Sequence, residues 1–172
     1  MTAAELESQK AVLLGLLRSS YDEFAWHGPN LMQALAGVGL PHVVWRAAGE
    51  RPAWNIHEVT LHVADVMQKS SAELFGARVV RIVDQDAFPL PEVTEEAEWI
   101  ATLGFLRQTY AALEDGLQAM PASALARTSA STAYNRQWSV TDHVKGVALH
   151  NTYHAAQIVV LRKRQGAWTE LV

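Results

Sequence analysis

Apolar residues along this chain recur at helical spacing. Leu6, Leu13, Leu14, Leu16 and Leu17 share one broad helical face, and Thr2 with Glu5 has the spacing of a capping box ahead of them. The pattern predicts a first helix running to about Phe24. Trp26-His-Gly-Pro-Asn breaks it, Asn30 is placed to cap a short piece from Leu31 to Ala36, and Gly37, Gly39 and Pro41 end that piece. The stretch from His42 to Ala53, with Gly49 and Pro52, predicts irregular structure. Asn55 and Glu58 then form a second box with Trp54 and Val59 at the staple positions. Ile56, Val59, Val63, Val66, Met67 and Leu74 keep helical spacing as far as Gly76.

Arg78 to Pro91 is read as a linker whose Val79–Val83 run could be extended. Thr94 is expected to start the third long helix, in which Trp99, Leu103, Leu106, Tyr110, Leu113, Leu117 and Met120 alternate spacings of four and three. Pro121 closes it, and a Ser/Thr/Ala-rich loop follows. Ser139 and Asp142, flanked by Trp138, resemble a further cap, and the last helix is expected from Val140 to about Gln165 with Gly166 as its stop. Four long amphipathic segments, long connections and no repeated strand pattern predict an all-α four-helix bundle with crossover connections, one domain over residues 1–172.

Composition narrows the chemistry. The chain of 172 residues is 49% apolar and carries a formal charge of −4. Its one basic cluster, Arg162–Lys163–Arg164, falls where cations complement the end of the last helix, so nucleic-acid binding is not expected. With no cysteine, disulfides, thiolate ligands and a cysteine nucleophile are excluded. No apolar run approaches the ~20 residues of a membrane span, and the first residues do not resemble a secretory signal. A cytoplasmic protein is the expectation.

The seven histidines carry the candidate chemistry. His62 lies one turn from both Val59 and Val66, on the apolar face of its helix. His150 and His154, four apart on the last helix, share a face with Val147, Ile158 and Leu161. A His-x-x-x-His pair alone is weak evidence, since a buried histidine is more often a satisfied core residue. A third inward histidine on another helix makes a three-imidazole metal site with at least one open position. His143 shares the face but sits about 10 Å along the helix. It is expected to fill the staple position after Trp138, with lining the approach to the site as the alternative. His57, in a first helical turn, and His42, in an irregular segment, are expected to face solvent. His27 is expected to be a turn residue, with an approach to the metal from the first helix as the alternative.

Several neighbours are candidates for supporting roles. Asp65, nearly one turn after His62, is placed to act as a base or to hold a ligand imidazole, and an exposed position is the alternative. Glu58 is already explained by its cap. Gln157, nearly one turn beyond His154, is an inward polar residue that needs a partner and could orient a ligand or substrate. Tyr153 is expected to pack between helices, and Trp168 is the best candidate for an interface residue.

Two segments also resemble a known family. Trp54-Asn-Ile-His-Glu-Val-Thr-Leu-His62-Val-Ala-Asp is similar to the tryptophan-to-histidine motif of the DinB-like (DinB/YfiT) superfamily, and His150-Asn-Thr-Tyr-His154-Ala-Ala-Gln-Ile to its second motif. Trp26-His-Gly-Pro and Gly146-Val-Ala-Leu-His150 look like further family features. The resemblance implies a four-helix bundle, often a homodimer, whose histidine triad binds nickel, zinc or a similar divalent ion. His57 and Ala156 depart from the family's usual residues without touching the triad.

The resemblance further implies either transfer of a low-molecular-weight thiol or metal-dependent hydrolysis, acting on a small-molecule substrate. A non-catalytic metal- or ligand-binding stress protein is the alternative, and a bundle whose histidines are purely structural stands behind both. No nucleophile elbow, phosphate-binding glycine loop or dinucleotide fingerprint supports a competing chemistry.

Overall fold

A computed structural model describes residues 1–48, 53–131 and 136–169. Gly49 and Pro52, placed above in an irregular stretch, lie outside the described residues. Helix α1 spans Ala3–Tyr21, the short α2 Leu31–Leu35, α3 Ile56–Phe75, α4 Glu96–Ala119 and α5 Val140–Arg164. The expected caps explain the starts of α1, α2 and α3. Thr2, Asn30 and Asn55 each accept the backbone N–H of the residue three on, and the side chains of Glu5, Gln33 and Glu58 return the bond. Ser139 caps α5 by accepting from Asp142 N at 3.1 Å. Gly76 ends α3 in the left-handed region that glycine adopts without steric cost. Helix α1 stops at Tyr21, three residues before the expected end, and α4 begins two residues after Thr94.

The four long helices close a ring in which α1 and α3 each pack against both α4 and α5. Side-chain bonds set the directions. Gln9 meets Thr141 and Ser20 meets Asn151, so α1 and α5 run parallel. His57 meets Thr102 at one end of α3 and the Phe75 ring packs on Gly116 at the other, so α3 and α4 are also parallel. His62 beside His150 and Ser70 beside His143 make α3 and α5 antiparallel. A parallel α3–α4 pair requires its connection to travel back along the bundle, about 30 Å for a helix of this length. The Val79–Val83 run lies in that connection and forms neither helix nor strand. Its backbone is held instead by the Gln68 amide, which accepts from Val80 N and Arg81 N and donates to Arg81 O.

Leu13 and Leu17 of α1, Val59, Val63 and Met67 of α3, Trp99, Leu106, Leu113 and Leu117 of α4 and Ile158 of α5 form the centre of the core. Burying each such aliphatic side chain contributes about 1.5–3 kcal/mol. The expected seam of α4 is therefore present, with Leu103 only partly covered, while Leu16 turns outward. Trp99 also donates from Nε1 to Val38 O at 2.8 Å, tying the segment after α2 to α4.

Two expectations change. The Ser/Thr/Ala-rich loop contains an antiparallel hairpin, β1 Thr128–Ser131 paired with β2 Arg136–Ser139. Tyr153 is exposed rather than packed between helices, because the α5 face opposite the core carries it outward. Trp168 is half-buried against the chain itself, its ring 4.9 Å from the Arg162 guanidinium carbon. The basic cluster falls in the last turn of α5 as expected, and its Arg162 folds inward, donating to Ala34 O and Ala167 O.

Candidate metal centre

The antiparallel packing of α3 on α5 brings His62 opposite the His150–His154 pair. His62 Nε2 and His150 Nε2 are 2.9 Å apart, and His154 Nε2 is 3.1 Å from His150 Nε2. One ligand nitrogen from each lies within 4.8 Å of the others. Nitrogens held at 2.0–2.1 Å around a tetrahedral ion would be about 3.3 Å apart, so the two distances from His150 Nε2 are within a few tenths of an ångström of that value.

Proton counting favours the same conclusion. His154 Nδ1 is 2.9 Å from Gln157 Oε1, so Nδ1 carries the proton and Nε2 presents a lone pair to its neighbours. His150 Nε2 faces two imidazole nitrogens and can donate to only one. The centre thus concentrates lone pairs that a cation would satisfy. Burial, with His154 and His62 beside it, pushes the His150 imidazole down to about 3. Burial, opposed by the Gln157 bond, pushes His154 down to about 4. Both are neutral near pH 7, the form in which imidazole binds metal.

The surroundings orient the set. Trp54 packs edge-on to His62, ring centres 5.1 Å apart, and Phe88 packs on Trp54 in turn. Trp54 therefore walls the centre as well as occupying the staple position before α3. Glu58 is fully buried and engaged by Arg46 through both oxygens, by Asn55 N and by Leu90 N. Burial opposes its ionisation, but these donors outweigh burial and hold the carboxyl below its ordinary value. Glu58 thus locks the α3–α4 connection beside Trp54, in keeping with its reading as a structural cap. Arg46 was not singled out by sequence, since nothing local marks its distant partner.

Of the two supporting candidates, Gln157 is the direct partner of His154. Asp65 is buried, with Lys69 Nζ at 2.5 Å and Gln68 Nε2 at 3.5 Å, so the exposed alternative does not hold. The other histidines divide. His57 is buried, not exposed, because the first turn of α3 already faces α4, and its Nε2 is 3.1 Å from Thr102 Oγ1. His42 is half-buried, 3.0 Å from Gln165 Oε1. His27 is exposed beside Trp26, as expected of a turn residue. His143 lines a cavity of about 450 Å³ together with His150, Trp138, Val66 and Val147. His143 therefore lines a space that His150 of the triad borders, and Trp138, its expected staple partner, borders the same space.

Fold and site together define a helical bundle with a three-histidine candidate metal centre between two antiparallel helices. The sequence model of the DinB superfamily matches residues 5–158. The chain belongs to the DinB superfamily. No curated protein and no solved structure matches it.

Proposed function

We propose that the protein is a metal-dependent enzyme that acts on a small molecule, by hydrolysis or by transfer of a low-molecular-weight thiol. The observation that carries this reading is the convergence of three imidazoles, two of them held neutral, at a centre that opens through His150 onto a cavity. A divalent ion held by three neutral ligands keeps its full charge, lowering the pKa of coordinated water toward ~7 or stabilising a thiolate. Nickel or zinc is the proposed ion, bound by His62, His150 and His154. Gln157 holds the His154 tautomer, and Asp65 is proposed as a proton acceptor or an orienting carboxylate.

The purified protein should contain about one ion per chain, and a His62→Ala, His150→Ala double variant should lose it. Unchanged occupancy in that variant would sink the triad. In the cobalt-substituted protein, small thiols should shift the visible spectrum, or an ester, amide or epoxide panel should show turnover that Asp65→Asn reduces while metal content stays constant.

A second reading, a non-catalytic metal- or ligand-binding stress protein, is favoured by the Lys69 and Gln68 contacts that already engage Asp65. Silence to thiols and to the whole panel would select it. No helix among the described residues is long and apolar enough to cross a membrane. We also propose a homodimer through the exposed residues Leu149, Tyr153 and Val160 of α5. Light scattering should give twice the chain mass, and Tyr153→Glu should return it to one.

A further inference from the structure

The cavity beside the triad has two chemically different ends. His150 closes one end, and Val66 and Val147 form the stretch beyond it. The far end is built by Trp138, Asp142 and His143, the last with its Nε2 3.0 Å from Ser70 Oγ. His143 lies seven residues before His150 on α5, so the two ends are about 10 Å apart.

The far end is also one-sided in charge. None of the described side chains lining the cavity is lysine or arginine, whereas Asp142 presents a carboxylate at the exposed rim. Behind His143, Glu73 Oε1 is 3.9 Å from His143 Nδ1. Burial lowers the His143 imidazole, Glu73 opposes that shift, and the net displacement is downward, so the ring adds no positive charge near pH 7. Trp138, half-buried on β2, supplies an aromatic ring next to the carboxylate. A carboxylate beside an indole attracts an ammonium group and repels a carboxylate or phosphate.

We infer that the cavity selects small molecules with a metal-directed group at one end, an apolar body of roughly 10 Å, and a cationic amine at the other, read by Asp142 and Trp138. This rests on the proposed metal centre and adds a substrate class to it. The hairpin has a specific part in the inference, since β2 delivers Trp138 and Ser139 immediately before α5 begins. Ser139 Oγ is 2.6 Å from Asp142 Oδ2, which orients the rim carboxylate.

Three hydroxamates test it on the cobalt-loaded full-length protein, with the visible spectrum as readout. They are 6-aminohexanohydroxamate, the neutral hexanohydroxamate, and the monohydroxamate of adipic acid. All three present the same metal-binding group whatever the reaction, and differ only at the far end. The amine should bind about tenfold tighter than the neutral chain, as a rim ion pair plus a cation–π contact would give, and the acid should bind weakest. Asp142→Asn and, separately, Trp138→Leu should each shrink the amine's advantage, read as the ratio of its affinity to that of hexanohydroxamate in the same variant, to about threefold.

Equal affinities in the wild-type protein, or a preference that survives both variants, would overturn the inference while leaving the metal centre intact. Failure of all three to perturb a bound cobalt would overturn the open coordination position and this inference with it.

Discussion

Replacing His150 by alanine tests the metal centre most directly, because its effect has one sign in the metal-loaded protein and another in the metal-free one. An ion that binds only the folded chain stabilises it by RT ln(1 + [M]/Kd), about 2.7 kcal/mol at roughly one hundred times the dissociation constant. For a domain of this size, 1 kcal/mol moves the melting temperature by about 3 °C, so saturating zinc or nickel should raise it by roughly 8 °C. His150 Nε2 is the nitrogen within about 3 Å of both other ligands, so His150→Ala should abolish most of that rise.

Without metal the expectation reverses at low pH. His150 and His154 are displaced down to about 3 and about 4, below the ordinary imidazole value near 6.5. As pH falls through 6.5, the unfolded chain takes up protons that the folded chain refuses. Stability conferred by the neutral pair is complete above 6.5 and is lost progressively down to about 3–4. Each such imidazole contributes a slope of up to about 1.4 kcal/mol per pH unit in that window. Deleting His150 should flatten the metal-free slope by about one proton and relieve His154 of a buried neighbour. Scanning calorimetry from pH 7.5 to 4.5, with and without metal, measures both effects. A His150→Ala protein with an undiminished metal-induced rise and an unchanged acid slope would refute the reasoning.

Other perturbations are equally specific. Gln157→Leu removes the acceptor that fixes the His154 tautomer, and metal affinity measured by chelator competition should fall about 10–100-fold with little change in the metal-free melt. Glu58→Gln breaks a buried carboxylate–guanidinium pair and should cost about 3 kcal/mol or more by urea denaturation; a loss under about 1 kcal/mol would show that water replaces the pair. Gly116→Ala would put a methyl 2.3 Å from Phe75 Cδ2 where α4 crosses α3. Overpacking should outweigh the helix-propensity gain of about 1 kcal/mol, giving a net loss of about 1–2 kcal/mol. A stabilised variant would show that the Phe75 ring, near the end of α3, yields freely.

The parts of the fold visible in sequence are those decided within one helical turn or two. Capping boxes join residues three apart, and the α4 seam repeats every three or four, so local chemistry placed the helix starts and inward faces. The triad was visible for the same reason: each histidine's inward direction is a property of its own helix. What sequence could not supply was the pairing of helices. A first-turn position such as His57 reads as solvent-facing, yet α3 lies against α4 from its first turn, and Thr102 meets it there. The hairpin was missed because its Ser- and Ala-rich strands carry little β propensity, and their pairing is non-local by comparison with a cap.

His143 shows how register turns a position into a role. Its spacing from His150 already placed it on the ligand face, about 10 Å from any shared ion. Sequence offered a local use for that position, as a staple partner of Trp138. The structure brings Ser70 and Glu73 of α3 to the same ring and opens the cavity between it and His150. Ser70 follows His62 by two turns along α3, just as His143 precedes His150 by two turns along α5. Antiparallel packing that joins the inner pair therefore must join the outer pair as well. The metal centre and the far end of its cavity are consequences of one helix–helix register. A displacement of α3 by a single turn would dismantle both together, so their loss in any variant should be concerted rather than separate.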